Sequence, residues 1–169
     1  MNVISNTTVL CNFAAIKQLG LLKQLFGVLF IPTAVYDEIY RGQEEGYEFC
    51  QTILLQIHPL NLNGWIHLSN LNNALEFQAL TTFPRKIHQG ESECLSIAQH
   101  RHWLFLTDDG AARHIAKQRQ ITISGTLGCL VLLVEQAHLS LESANGFLAA
   151  MIEQGYRSPL TDLTNLIHP

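Results

Sequence analysis

Charge is scarce in this sequence: 14% of its 169 residues are Asp, Glu, Lys or Arg, and the formal net charge is −4. That balance is not the footprint of a tight, nonspecific polyanion binder, so any nucleic-acid chemistry needs a local basic patch or a bound metal. No C-x-x-C pair or zinc-type spacing exists among the four cysteines, Cys11, Cys50, Cys94 and Cys129, each of which sits in apolar company. They read as buried free thiols in a reducing compartment. Neither G-x-G-x-x-G nor G-x-x-x-x-G-K-[ST] occurs, which removes the phosphate-loop nucleotide binders. No basic leader precedes a signal-type hydrophobic run, and the apolar stretch from Leu127 to Val134 is too short to span a bilayer. A cytoplasmic protein with no membrane segment is expected. Repeats, linkers and low-complexity segments are also missing, so a single domain is expected over 1–155, followed by a C-terminal tail at 156–169.

What is present centres on residues 103–126. The apolar run Trp103-Leu104-Phe105-Leu106-Thr107 ends in Asp108-Asp109; a helical pattern from Ala111 to Gln118 and a second apolar run, 120–124, follow. That is the pattern of a strand, a crossover helix and a parallel strand, with acid at the strand's C-terminal end, where open α/β sheets place their ligands. Further strands are expected at about 3–5 and 28–31, with Thr7 or Thr8 capping a first helix that carries Leu10, Phe13 and Ala14. Helices are expected at 19–26, 33–40 after Pro32, 48–57, from Gly90, at 127–137 and at 141–153, the last capped by Ser140 and closed by Gly155. Residues 58–65 read as turn, and 66–87 read weakly, with Leu71, Leu75 and Leu80 suggesting an exposed or partner-facing helix. Each crossover is long enough for a parallel connection, which makes an α/β sandwich.

The chemistry-bearing residues are mostly acids near strand ends. Asp109 is the strongest single candidate, as a metal ligand at the sheet's open edge; a turn or N-cap aspartate is the plainer reading of the same place. Asp108 is adjacent, so at least one of the two is expected to serve structure. Glu91 and Glu93 occupy the start of the helix after Gly90, where carboxylates are favoured in any case; two apart, they do not share a face. Glu38 lies between apolar Val35 and Ile39 and must be at a boundary or paired, with Arg41 as the obvious partner. Asn6 ends the first strand and can offer its amide oxygen to a metal or a water. Thr7, Thr107 and Ser124 are hydroxyls near strand ends, suited to a metal-held water or to capping. The histidines are scattered and suggest no catalytic arrangement. Carboxylates without cysteines or convergent histidines suit hard ions, Mg²⁺ or Mn²⁺, and phosphodiester hydrolysis is the economical reaction. Six of the ten basic residues lie between Arg85 and Arg119, where they can meet a nucleic-acid backbone.

The segments Val3-Ile4-Ser5-Asn6-Thr7-Thr8, Ile31-Pro32-Thr33-Ala34-Val35-Tyr36-Asp37-Glu38, Gly90-Glu91-Ser92-Glu93-Cys94, Thr107-Asp108-Asp109 with Ala112-Arg113, and Ser124-Gly125-Thr126-Leu127-Gly128 together resemble the PIN-domain superfamily. Within it, they resemble the small prokaryotic toxin-type members of toxin–antitoxin pairs. The resemblance implies a three-layer α/β/α sandwich with a central, mainly parallel sheet. It also implies an Mg²⁺- or Mn²⁺-dependent endoribonuclease acting on RNA, homodimeric and restrained by a small antitoxin-type protein. The family's acidic site falls on Asn6, Glu38, Glu93 and Asp109 as metal positions, the three carboxylates being catalytic, with Glu91, Asp108 and Thr107 as accessory groups. Asn6 departs from the family, which has an aspartate there. The alternative is therefore a catalytically impaired protein with a binding or regulatory role. A purely structural α/β domain is the third reading.

Overall fold

The computed structural model describes residues 1–167. A six-stranded sheet is built from β1 (Val3–Ser5), β2 (Leu29–Ile31), β3 (Ile57–His58), β4 (Ile66–Leu68), β5 (Leu104–Leu106) and β6 (Ile123–Ser124), in the order β3-β4-β2-β1-β5-β6. Every pairing is parallel, with Ile4 opposite Phe30 on one side and Phe105 on the other. Parallel strands need crossover connections, and the chain supplies helices for them. These are α1 (Thr7–Ala15), α2 (Gly20–Phe26), α3 (Thr33–Glu44), α4 (Glu48–Leu54), α5 (Ala74–Thr81), α6 (Gln89–Arg101), α7 (Gly110–Gln118), α8 (Thr126–Glu135) and α9 (Leu141–Glu153). The result is an α/β/α sandwich. Its core is formed by the inner faces of the strands and helices, with Ile4, Leu10, Phe13, Leu22, Leu29, Ile31, Leu95 and Phe105 fully buried.

Several elements differ from expectation for identifiable reasons. Asn6, rather than Thr7 or Thr8, caps α1 by accepting from the Thr8 amide. Helix α4 stops at Leu54, and Ile57 pairs instead with Ile66 in strands that turn-rich 58–65 concealed. The last strand starts late because Gln120 takes a left-handed φ of +57°, which breaks extended structure before Ile121. Helix α8 is apolar almost throughout, yet only Thr126, Cys129, Leu130 and Leu133 are buried; Leu127, Val131, Leu132 and Val134 are half-exposed. Three cysteines are buried and Cys11 partly so, all as free thiols.

Two features fix α6 where it matters. Its C-terminal Arg101 makes a two-pronged ion pair with fully buried Glu76 of α5 (2.7 and 2.9 Å) and donates to Ser69 Oγ at 2.8 Å. Burying a carboxylate is costly unless it is paired and hydrogen-bonded, and Arg101, the Asn72 amide and the Asn73-capped first turn do this for Glu76. At the other end, Gly90 has no room for a side chain: a Cβ there would lie 2.6 Å from Glu38 Oε1 and 2.9 Å from Val35 Cγ2. The glycine thus lets α6 and α3 approach closely and presses Glu38 against the first turn of α6. The tail packs back onto the domain, with Leu163 fully buried and Asn145 bonded to Asp162 and Leu163.

Candidate active site

Because the sheet is parallel, the ends of β1, β2, β5 and β6 and the starts of the following helices meet along one edge, together with the start of α6. Asn6, Glu38, Glu91, Thr107, Asp108 and Asp109 all come to this edge.

Asn6, 1% exposed, is its hinge. Its Oδ1 accepts from the backbone N–H of Thr8 at 3.2 Å and from Thr8 Oγ1 at 2.8 Å. A backbone N–H can only donate, so the atom facing it must be the amide oxygen, which fixes the orientation of the side chain. The NH₂ therefore points the other way, donating to Thr107 Oγ1 at 2.9 Å and to Glu91 Oε1 at 3.5 Å. The expectation that Asn6 offers its oxygen outward meets a physical obstacle: that oxygen caps α1, and the group facing the acids is a donor.

Glu91 sits in the first turn of α6 and closes a capping box with His88: its Oε2 accepts from the His88 backbone N–H at 3.1 Å, while the His88 side chain accepts from the Glu91 amide. Burial pushes its carboxyl above the usual range, and the charges of Asp109 and Glu38 push it further. Glu38 is raised too, chiefly by burial, against the lowering effect of the Thr7 hydroxyl that donates to it at 3.4 Å. Arg41 is not its ion-pair partner; that guanidinium donates instead to the Asp37 carbonyl at 3.3 Å. Asp109 caps α7 through Oδ1, which accepts from the Ala112 amide at 2.7 Å, and is half-buried.

The remaining residues are placed differently. Glu93, 9% exposed, turns to the Gln89 amide, which donates to it at 2.8 Å. Asp108 is spent on structure. Its Oδ1 accepts from the Thr126 amide (2.9 Å) and the Tyr156 hydroxyl (3.4 Å), and its Oδ2 from Thr126 Oγ1 (2.6 Å) and Asn12 (3.1 Å). It thereby ties together α1, the start of α8 and the C-terminal segment. Thr107, fully buried, relays between Asn6 and the Asp109 amide. Ser124 lies beneath Gly128, where its Oγ leaves no space for a Cβ.

His88, Asn12, Thr126 and Tyr156 are the site's unforeseen members. The His88-x-x-Glu91 spacing is that of a capping box, obscured by an unusual cap residue. The other three converge on Asp108 from positions 18 to 96 residues away, and no local pattern encodes that.

As a donor set, Glu38, Glu91 and Asp109 present hard carboxylate oxygens, the chemistry that suits Mg²⁺ or Mn²⁺. Their arrangement is open: among the described residues, no three of His, Cys, Asp or Glu are grouped as metal ligands. No helix among the described residues is long and apolar enough to cross a membrane. Compared with known families, the chain matches the PIN domain over residues 2–168. A comparison with curated proteins gives no match.

Proposed function

The chain belongs to the PIN domain family, and from that membership, which points to nuclease chemistry in general, we propose a divalent-metal-dependent endoribonuclease. Glu38, Glu91 and Asp109 are its metal-holding and catalytic residues, with Mg²⁺ or Mn²⁺ as the ion. Glu91 takes the place that the resemblance gives to Glu93, because its carboxylate faces Asn6 and shares the field of Asp109 and Glu38, while that of Glu93 is bonded to Gln89. The observation that carries this reading is the gathering of Glu38 from α3, Glu91 from α6 and the α7 cap Asp109 at one sheet edge, where burial first, and then the charges of Asp109 and Glu38, raise the Glu91 carboxyl. A cation relieves that arrangement, and a hard divalent ion supplies an acidified water and charge neutralisation at phosphorus. Thr7 orients Glu38, and Thr107 with Asn6 orients the floor of the site. Glu93 and Asp108 are supporting residues.

A second reading is favoured by one feature. The Asn6 amide donates where a carboxylate ligand would add charge, so it partly occupies the role of the cation toward Glu91. In that reading the domain is catalytically impaired and acts by binding. The same proposal extends to partners: Leu75 (61% exposed) and Phe77 (54%) on α5 form the apolar surface offered to a small antitoxin-type protein, in a toxin-type role.

The deciding experiment is cleavage of a labelled single-stranded RNA with Mn²⁺ by the wild type, Asn6→Asp and Asp109→Asn. Cutting by the wild type that Asp109→Asn loses supports the nuclease. Cutting by Asn6→Asp alone supports the impaired reading, and no cutting by either removes the nuclease altogether.

A further inference from the structure

Beside the acids runs a groove whose other wall is the segment after α9. One part, of about 380 Å³, lies between Thr7, Thr8 and Asn12 on α1 and Gly155, Tyr156 and Arg157 of the segment after α9, with Asp108 and Asp109 also in its wall. A second part, of about 340 Å³, continues from Arg157 past Asp108 to Arg113 and Gly128 at the start of α8. Both parts share Asp108, Tyr156 and Arg157, so Arg157 stands where they join. Its guanidinium is exposed and has no hydrogen-bond or ion-pair partner among the described residues. Arg113 spends one nitrogen on the carbonyls of Thr107 (2.9 Å) and Ser124 (3.3 Å), leaving the rest of its fork available.

The backbone at Arg157 is held in place. Gly155 turns the chain with a φ of +104°, a conformation that glycine adopts without strain. The Tyr156 amide bonds the Met151 carbonyl at 3.0 Å, and its hydroxyl reaches Asp108. Burial and the Asp108 charge push the Tyr156 phenol up, keeping it a hydrogen-bond donor there. Two arginines spaced along a groove that also carries Asp108 and Asp109 match phosphates of a strand approaching the acidic edge. In an acidic protein with few basic residues, such a placement is specific rather than diffuse.

We propose that this groove is the track of a single-stranded RNA backbone, with Arg157 and Arg113 each taking a phosphate and Tyr156 acting as the positioning residue that holds Arg157 over the track. The inference rests on the nuclease reading and extends it by naming where the strand lies. Each part has the volume of a small-ligand pocket, which suits single nucleotides rather than a duplex.

The test is fluorescence anisotropy of a fluorescein-labelled single-stranded oligoribonucleotide, without added divalent ion, across a salt series. Each phosphate contact on a single strand contributes a slope of about −0.7 in log K against log salt. Arg157→Ala, a change at an exposed side chain, is expected to weaken binding about tenfold at low salt and to make the slope shallower by about 0.7. Arg157→Lys, which keeps the charge, is expected to restore the slope. Arg157→Ala with unchanged affinity and slope, on a protein that still cuts RNA with Mn²⁺, overturns the groove and leaves the nuclease reading standing. Wild-type protein that neither binds nor cuts the strand, with or without Mn²⁺, overturns both.

Discussion

At the scale of single residues, the chemistry turns on Asn6. One atom separates it from an aspartate, and that atom reverses the sign of what Glu91 and Thr107 face. Asn6→Asp keeps the N-cap, since a carboxylate oxygen accepts from Thr8 as well as an amide oxygen does. It removes both donor contacts and adds a charge beside Glu91. Without metal the variant is expected to lose about 1–3 kcal/mol, as lost buried hydrogen bonds do, and to recover it when Mn²⁺ is added. Chemical denaturation in chelator and in Mn²⁺ checks this; equal stability in both conditions contradicts it. A pH effect follows from the carboxyls of Glu38 and Glu91, both raised above the ordinary value. Between that value and the raised one, the folded chain holds more protons than the unfolded chain, so stability falls as pH rises through the window. Thermal melts at stepped pH are expected to show this fall, reduced in Glu91→Gln; a Glu91→Gln profile identical to wild type contradicts it. Candidate acids were legible in the sequence because Asp108 and Asp109 follow an apolar run, Glu91 and Glu93 open a helix after Gly90, and Glu38 lies between apolar Val35 and Ile39. The direction in which each side chain points was not, since Glu91 and Glu93 are separated only by a capping box and by Gln89.

At the scale of elements, legibility followed the strength of the local pattern. Strands β1 and β5, the helix after Pro32 and the Ser140-capped α9 announce themselves through apolar runs and caps. Strands β3 and β4 did not, being two and three residues long beside Pro59, Asn61, Asn63 and Gly64; β4 takes its place by pairing with β2, and β3 by pairing with β4, rather than by their own sequence. An exposed or partner-facing helix is weakly legible around Leu75 and Leu80, where α5 forms with Leu75 exposed, but the Glu76–Arg101 ion pair that docks it spans 25 residues and leaves no periodic trace. The close approach of α3 and α6 at Gly90 is likewise tertiary. Gly90→Ala is expected to cost about 1–3 kcal/mol, the usual penalty of overpacking, and to displace Glu38. Measured by denaturant unfolding and Mn²⁺ affinity, a variant as stable and as metal-competent as wild type contradicts this coupling of the two helices.

At the scale of the whole molecule, the domain and its C-terminal segment form one body around one edge. Leu163 is fully buried and Tyr156 reaches the Asp108 knot, so truncation after Gly155 removes packing as well as the groove wall. Loss of one fully buried leucine corresponds to about 1.5–3 kcal/mol, and a melting temperature lower by several degrees is expected on calorimetry; an unchanged melt contradicts the docking of that segment. The proposed nuclease rests on three carboxylates at this edge, Glu38, Glu91 and Asp109, with the neutral Asn6 beside them. Mn²⁺ titration by calorimetry tests this most directly, on chelator-stripped wild type beside Asn6→Asp and Asp109→Asn. The expected result is weak binding by the wild type, binding at least about tenfold tighter in Asn6→Asp, as an added carboxylate ligand implies, and none in Asp109→Asn. Silence in both wild type and Asn6→Asp, or binding that survives Asp109→Asn unchanged, contradicts it.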